Sequence, residues 1–248
     1  MESTTARFSF KHVLAVLPQG GPISTRDLEK RGLTAHQASY LARHDWLTHL
    51  GRGAYMRPGD ILNREASIAF LADTVPGLHV GGKTALAWRG LVHNIAFNEK
   101  IALWGAKPTR LPSWFLARFT CTYQVTKLFL DELSPDYGLQ SLPNGRPDVL
   151  VSVPERALLE MLSDIGKTQS LEEAVNITEN IRTLREPVLD KLLFNTTRIK
   201  VVRLLYQLAR DTGQPWEKLA LEHSQRIGGG KRWQSLTRTG ERLNLVRP

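Results

Sequence analysis

The sequence predicts an α+β protein with an N-terminal winged helix-turn-helix in residues 1–62 and a larger mixed α/β domain in residues 63–248. Three observations lead to this prediction. Two segments with helical apolar spacing, joined by a glycine-containing turn, lie within the first 45 residues. A short β-type run with Gly-Arg-Gly at its centre follows them. From residue 63 onward, predicted helices and strands are interspersed without internal repeats.

The helices of the first region are recognised by apolar spacing and by capping residues. Residues 8–17 carry apolar side chains on one helical face and end at a run rich in proline and glycine. Ser24 and Thr34 are suitable N-caps for two further helices, predicted over about 25–30 and about 35–44. In a helix-turn-helix, the second of these two helices enters the major groove of DNA.

A β-hairpin is predicted directly after these helices. Residues 48–50 and 54–57 have β-type composition, and Gly51-Arg52-Gly53 between them forms the turn. Pro58-Gly59-Asp60 then marks the exit from the first domain. The hairpin supplies the wing of the predicted fold.

The second domain begins with a helix predicted over about 63–73. Further helices are expected over 83–90, 155–165, 171–184, 187–195 and 199–212, and strands over 100–104, 118–124 and 148–153.

Charge is unevenly distributed along the 248 residues, whose formal net charge is +9. Residues 1–60 carry +3, residues 61–124 carry +4, residues 125–194 carry −5 and residues 195–248 carry +7. Both ends are therefore basic, which favours a nucleic-acid partner at one end or at both.

The composition also excludes several classes of protein. No apolar run approaches the length of a membrane helix, and the first residues lack the charge and apolar pattern of a signal peptide. The single cysteine, Cys121, excludes an internal disulfide. We therefore expect a cytoplasmic protein with no bound cofactor.

The predicted recognition helix and wing supply the candidate DNA-binding residues. Apolar Ala38 and Leu41 would face inward, which turns the polar residues of the helix outward. Gln37 and Ser39 are the expected base readers, and the wing arginines are expected to position the protein on the DNA backbone. The full set is His36, Gln37, Ser39, Tyr40, Arg43, Arg52 and Arg57. The alternative is a winged helix used for protein contact, with this face solvated.

A second basic surface is predicted near the C-terminal end. Its candidate residues are Lys200, Arg203, Arg210, Lys231 and Arg232. Arg203 and Arg210 are seven residues apart, which places them on one face of a helix. The segment 228–233 (GGGKRW) is a candidate anion-binding nest, although triple glycine is more often a flexible turn.

Several patterns imitate catalytic or metal motifs. Residues 77–84 fit G-x-x-x-x-G-K-[ST], but a P-loop protein also needs a strand before this segment and, downstream, an apolar strand that ends in Asp, and neither is evident. Pro147-Asp148 resembles the start of the PD-(D/E)xK nuclease motif, but the Glu-x-Lys that would complete this motif is absent after it. The seven histidines show no metal-ligand spacing, and no G-x-S-x-G occurs. We expect no catalytic residues and no metal site.

The chain resembles the AbiEi-type antitoxins of type IV toxin–antitoxin systems over nearly its whole length. The N-terminal resemblance lies in ISTRDL and GRGAY, and the more specific stretches come later in the chain. These are residues 80–91 (VGGKTALAWRGL), 153–160 (VPERALLE) and 199–206 (IKVVRLLY) followed by 229–232 (GGKR). Residues 234–240 lack the β-rich character expected of this family at its C-terminal end.

This resemblance implies two activities. The winged helix would bind repeated half-sites in duplex promoter DNA and repress transcription of its own operon. The domain over residues 63–248 would counteract a nucleotidyltransferase-like toxin without a stable complex with it. The alternatives are a transcription factor whose larger domain senses a ligand or oligomerises, and an RNA-binding protein that uses the basic C-terminal surface.

Overall fold

The computed structural model describes residues 13, 16–91, 100–227, 230, 232–236 and 242–246. Most of the helix predicted over residues 8–17 lies outside this part of the chain. The helices of the described part are α1 (Thr25–Lys30), α2 (Ala35–Arg43), α3 (Arg64–Ala72), α4 (Gly82–Trp88), α5 (Ser113–Arg118), α6 (Pro154–Asp164), α7 (Leu171–Asn180), α8 (Glu186–Phe194), α9 (Ile199–Asp211) and α10 (Glu217–Arg226). Its strands are β1 (Ile23–Ser24), β2 (Thr48–Gly51), β3 (Ala54–Met56), β4 (His79–Val80), β5 (Ile101–Trp104), β6 (Cys121–Gln124), β7 (Leu139–Gln140), β8 (Val151–Ser152), β9 (Arg232–Leu236) and β10 (Arg242–Val246).

The chain divides into two compact units. Unit 1 ends at Thr74 and also contains Thr109–Phe119, and unit 2 contains Val75–Pro108 and the residues from Thr120 onward. Strands β5 and β6 are parallel neighbours, so the chain between them must make a crossover connection. Thr109–Phe119, which carries α5, is the central part of that connection.

Unit 1 is built around a three-stranded antiparallel sheet of order β1-β3-β2. Helices α1 and α2 precede the hairpin formed by β2 and β3. Their apolar faces share one buried cluster with the strands, whose members include Leu28, Leu33, Leu41, Leu47 and Tyr55. The order of helix, turn, helix and hairpin agrees with the sequence prediction.

Unit 2 contains a five-stranded mixed sheet of order β6-β5-β4-β8-β7. The two parallel pairs are β5–β6 and β4–β8, and the pairs β4–β5 and β7–β8 are antiparallel. A separate hairpin joins β9 and β10. The chain is thus a mixed α/β protein with a smaller and a larger unit, as predicted.

Helix α6 lies in the core of unit 2. Every residue from Glu155 to Asp164 is buried, and the helix packs against α4, α7, α8 and α9. Four of these residues, Glu155, Arg156, Glu160 and Asp164, are ionisable. Charged side chains are rarely buried unless they are paired, so this helix requires polar partners from elsewhere in the fold.

Two parts of the C-terminal region differ from the sequence analysis. Helix α10 was not predicted. Little β-structure was expected over residues 234–240, but residues 234–236 lie in β9, which pairs with β10. The predicted strand over 118–124 also starts later, because α5 continues to Arg118.

Candidate nucleic-acid interface and a buried carboxylate centre

Helix α2 has one buried face and one polar face. Thr34 is its N-cap, and Ala38 and Leu41 are buried in the apolar cluster of unit 1. The side chains predicted to contact DNA lie on the remaining faces, where all are exposed except the half-buried Gln37: His36, Gln37, Ser39, Tyr40 and Arg43. Packing thus leaves the polar set of the helix available to a partner.

Gln37 is engaged in the helix cap. Its Oε1 accepts hydrogen bonds from the Thr34 backbone N–H at 2.8 Å and from the Thr34 hydroxyl at 3.1 Å, and its own N–H bonds to Thr34 Oγ1. This is a reciprocal capping box. Because bidentate pairing with adenine needs the amide oxygen as well as the amide nitrogen, that contact competes with the cap.

Aromatic and basic groups cluster towards the end of α2. The rings of Tyr40 and His44 lie 4.3 Å apart, centroid to centroid. Trp46, which the sequence analysis did not single out, is 49% exposed. The Arg43 Nε is 3.4 Å from the Ser39 carbonyl oxygen, a weak contact that leaves the guanidinium at the surface.

The hairpin presents Arg52 at its tip. Gly53 has φ +71°, a conformation that suits glycine, and its carbonyl accepts a hydrogen bond from the Thr25 N–H. Arg52 is exposed, while Arg57, which follows β3, is half-buried. Trp114 of α5 packs over Gly51, where an added Cβ would lie 3.3 Å from the indole. The hairpin is therefore contacted by both α1 and α5.

The predicted second basic surface is not assembled as expected. Arg203 is 2% exposed, and its guanidinium donates to the carbonyls of Leu245 and Gly230. Lys200 donates from Nζ to the carbonyls of Ser163 and Ile165, at 2.7 and 2.9 Å, at the end of α6. Both cations serve internal contacts, because later parts of the chain and α6 cover this side of α9.

The other members of that set are dispersed. Arg210 is exposed and pairs with its neighbour Asp211 at 2.9 Å. Arg232 is exposed in β9, and Lys231 lies outside the described residues, as do Gly228 and Gly229 of the GGGKRW segment. The seven-residue spacing correctly predicts a shared helix face, but this face is buried at Arg203 and exposed at Arg210.

The P-loop-like segment has an internal anion in place of a phosphate. Gly82 opens α4, and its N–H donates to Glu160 Oε2 at 3.1 Å. At Gly81, an added Cβ would collide with the Glu160 carboxylate and with Trp104. The glycines thus allow α6 and β5 to approach, and the Glu160 carboxylate is held where a P-loop would bind phosphate.

Glu160 is the centre of a buried hydrogen-bond network in unit 2. Besides Gly82, its donors are the Ser152 hydroxyl at 2.8 Å, His79 Nε2 at 3.0 Å and Arg156 Nε at 2.9 Å. Burial alone would raise its pKa, but the charges and hydrogen bonds of His79 and Arg156 outweigh this effect and lower the pKa to about 2. The carboxylate is therefore ionised at any physiological pH.

A second buried carboxylate, Asp164, lies one turn further along α6. Burial raises its pKa to about 7, and the negative charge of Glu160 acts in the same direction. Its Oδ1 is buried without a hydrogen-bond partner in the described part of the chain. The surroundings of Asp164 therefore oppose ionisation of its carboxyl group, whereas those of Glu160 favour it.

Replacing Asp164 by asparagine is expected to change how stability depends on pH. The folded pKa lies above the ordinary value of 3.8, so the folded state retains a proton that the unfolded chain has lost. Wild-type stability should therefore fall as pH rises from about 4 to about 7, by about 1–3 kcal/mol. Urea unfolding at pH 5 and pH 8 should show this loss reduced in Asp164→Asn. The exposed Asp136→Asn is the matched control, and equal pH dependence in both variants would contradict the assignment.

The described residues contain neither a cluster of metal ligands nor a membrane-spanning helix. No group of three or more His, Cys, Asp or Glu side chains there has the arrangement of a metal site. No helix in the same part of the chain is long and apolar enough to cross a membrane.

Two family models match the chain in succession. Residues 7–97 match the N-terminal domain of the AbiEi antitoxin transcriptional regulators, and residues 98–244 match the model described as transcriptional regulator, AbiEi antitoxin, type IV toxin–antitoxin system. No curated protein matches the sequence.

One solved structure that resembles this fold is the crystal structure of the RV2827C protein from Mycobacterium tuberculosis. The two share 13% sequence identity with a TM-score of 0.56, over 89% of this chain and 80% of that chain. At this identity the likeness is one of fold.

Proposed function

The chain belongs to the family of AbiEi antitoxin transcriptional regulators of type IV toxin–antitoxin systems, and we propose that it represses its own operon and counteracts a nucleotidyltransferase-like toxin. In this proposal residues 1–62 act as a winged helix-turn-helix on promoter DNA with repeated half-sites. The remainder of the chain provides the antitoxic activity, without a stable complex with the toxin.

The polar face of α2 is the observation that carries the DNA-binding part. The exposed residues of α2 include no acidic side chain, so the surface offers hydrogen-bonding groups and cations to an anionic partner. Ser39 and Arg43 are one turn apart, so a helix lying in a major groove brings Ser39 to a base edge and Arg43 to a neighbouring phosphate. Arg52, at the glycine-flanked tip of the hairpin, is suited to contact the phosphate backbone or the minor groove.

Gln37 provides a test of base reading that takes the capping box into account. Gln37→Ala removes both the base contact and the cap, so it should relax sequence preference by about 1–3 kcal/mol on the preferred site and destabilise the helix by about 1 kcal/mol. Gln37→Glu keeps an acceptor that completes the capping box but removes the amide donor. Band shifts on operator and scrambled DNA, combined with thermal unfolding, separate the two effects.

Loss of operator preference in both variants, with unfolding changed in Gln37→Ala alone, is the expected result. Unchanged preference in both variants would contradict a base-reading role for Gln37.

The two proposed activities can be tested separately in the full-length chain. Co-expression of the chain with a nucleotidyltransferase-like toxin encoded beside it should relieve the growth arrest that the toxin causes. The wild type and an Arg43→Ala/Arg52→Ala variant should do so equally, because that variant changes unit 1 alone. A promoter fusion in the same cells should be repressed by the wild type and derepressed in the variant. Absence of relief by the wild type would refute the antitoxin proposal and leave the repressor proposal standing.

The alternative of RNA binding through the C-terminal surface receives little support from the described residues. Arg203 and Lys200, two of its five candidate cations, hold the interior of unit 2 together.

A further inference from the structure

A cleft of about 300 Å³ opens in unit 2 beside the Glu160 network. Its walls come from the end of β5 and from the segment 125–135 that follows β6, and His79, Arg156 and Glu160 lie at its inner end. The walls are largely apolar and include Leu128, Phe129 and Leu133, residues that the DNA-binding proposal does not use. A volume of this size is at the lower end of the range for small-molecule sites.

The ionic groups at the inner end of the cleft carry a net positive charge. His79 Nδ1 lies 2.8 Å from the Gly77 carbonyl oxygen, and its Nε2 lies 3.0 Å from the Glu160 carboxylate. Since both partners are acceptors, both ring nitrogens carry hydrogen when these bonds are made, and the ring is cationic. With Arg156 also cationic, one carboxylate faces two positive groups.

Arg156 is fixed rigidly in this position. It is 8% exposed, and its Nη1 donates to the carbonyls of Pro135 and Tyr137 at 2.9 and 2.7 Å. Its guanidinium also lies 5.4 Å from the centroid of the Phe129 ring. The excess charge is therefore held in a low-dielectric environment beside the cleft, where it favours an anion.

Trp104, another residue of the cleft lining, carries an indole N–H that is buried and unpaired in the described part of the chain. The residue as a whole is 4% exposed. Buried indole N–H groups normally find an acceptor, and one left unpaired carries a free-energy cost. An acceptor atom on a bound molecule would remove that cost.

We propose that this cleft binds a small organic anion, a carboxylate joined to a compact apolar group. The apolar walls contact the body of the ligand, the Trp104 indole donates to its carboxylate, and the excess positive charge of His79 and Arg156 stabilises its charge. Lys127 and Asp131 also line the cleft, where the Lys127 ammonium pairs with the Asp131 carboxylate at 2.6 Å, so this pair leaves the net charge of the lining unchanged.

Phenylacetate is a probe of this chemistry, and the uncharged phenylacetamide is its matched control. The readout is the indole N–H resonance of Trp104 in ¹H–¹⁵N correlation spectra of the full-length protein. This resonance is assigned by connecting it to the backbone resonances of Trp104. Phenylacetate should shift this resonance saturably with a Kd at or below about 1 mM, and phenylacetamide should bind at least about ten-fold more weakly because it lacks the charge.

Two charge-reversal variants localise the effect. Lys127→Glu should weaken phenylacetate binding by about three-fold or more at low salt, whereas Lys218→Glu, on the exposed part of α10 outside the cleft, should leave it unchanged. A Trp104 resonance that does not respond, an equal response to both probes, or equal weakening in both variants would each overturn the proposal. None of these outcomes depends on DNA binding, so the test is independent of the proposed function.

Discussion

Replacing Glu160 by glutamine is expected to lower the free energy of unfolding by about 3–5 kcal/mol, because it leaves two buried cations without their counter-charge. The glutamine amide group would also direct a donor towards groups that already donate. Urea denaturation followed by circular dichroism measures the effect as a fall in the midpoint concentration.

Glu179→Gln is the matched control for this variant. Glu179 is exposed on α7, and its replacement should change the free energy of unfolding by no more than about 0.5 kcal/mol. Equal midpoints for the two variants would show that the Glu160 network contributes nothing to stability.

The same variant has a predicted signature in acid. The pKa of Glu160 is about 2 in the folded protein against an ordinary value of 4.5. Its contribution is therefore present above about pH 4.5 and is lost as pH falls through about 2. The stability difference between wild type and Glu160→Gln should shrink over this interval, which urea midpoints at pH 6, 4 and 3 would show.

The part of the fold that was predicted correctly depends on local patterns. Ser24 and Thr34 are recognisable as caps because each is followed by a helical apolar pattern, and both cap their helices in the structure. The hairpin follows from Gly-Arg-Gly between two β-type runs. These signals lie within a few residues of each other, so one sequence suffices to detect them.

The Glu160 network could not be predicted in this way. Gly82 and His79 contact a carboxylate that lies 78 and 81 residues away in sequence. Local spacing suggests that a helix with four ionisable residues has a solvated face. Only the folded chain brings hydrogen-bond donors to these residues, so that the helix can be buried. The same reasoning explains Arg203. Its sequence position suggests a surface cation, but in the structure it donates a hydrogen bond to the carbonyl of Leu245, 42 residues later.

The three stretches that most resemble the antitoxin family converge on the interior of unit 2. Residues 80–91 supply α4, residues 153–160 supply most of α6, and residues 199–206 supply the start of α9. Helix α6 packs against both of the others, and Lys200 caps its carbonyls. These stretches therefore identify the fold, because they supply helices that pack against one another inside unit 2.

Removing the two most exposed arginines of the proposed DNA-binding surface, Arg43 and Arg52, should weaken binding to any duplex. Each phosphate contact contributes about 0.9 to the slope of log K against log salt, so Arg43→Ala/Arg52→Ala should lower that slope by about 2. At about 0.15 M salt this corresponds to a loss of affinity of about ten- to fifty-fold. Fluorescence anisotropy with a labelled operator over a salt series measures both quantities.

The control must have the same change in net charge. Arg182→Ala/Lys218→Ala removes two exposed cations of unit 2, Arg182 from the segment between α7 and α8 and Lys218 from α10. This double variant should leave the salt slope unchanged. An equal fall in slope for both double variants would mean that DNA responds to the total charge of the protein and not to α2 and the hairpin. In that case the docking of this helix and hairpin on DNA would have to be abandoned, because the salt slope counts the phosphates that a protein neutralises.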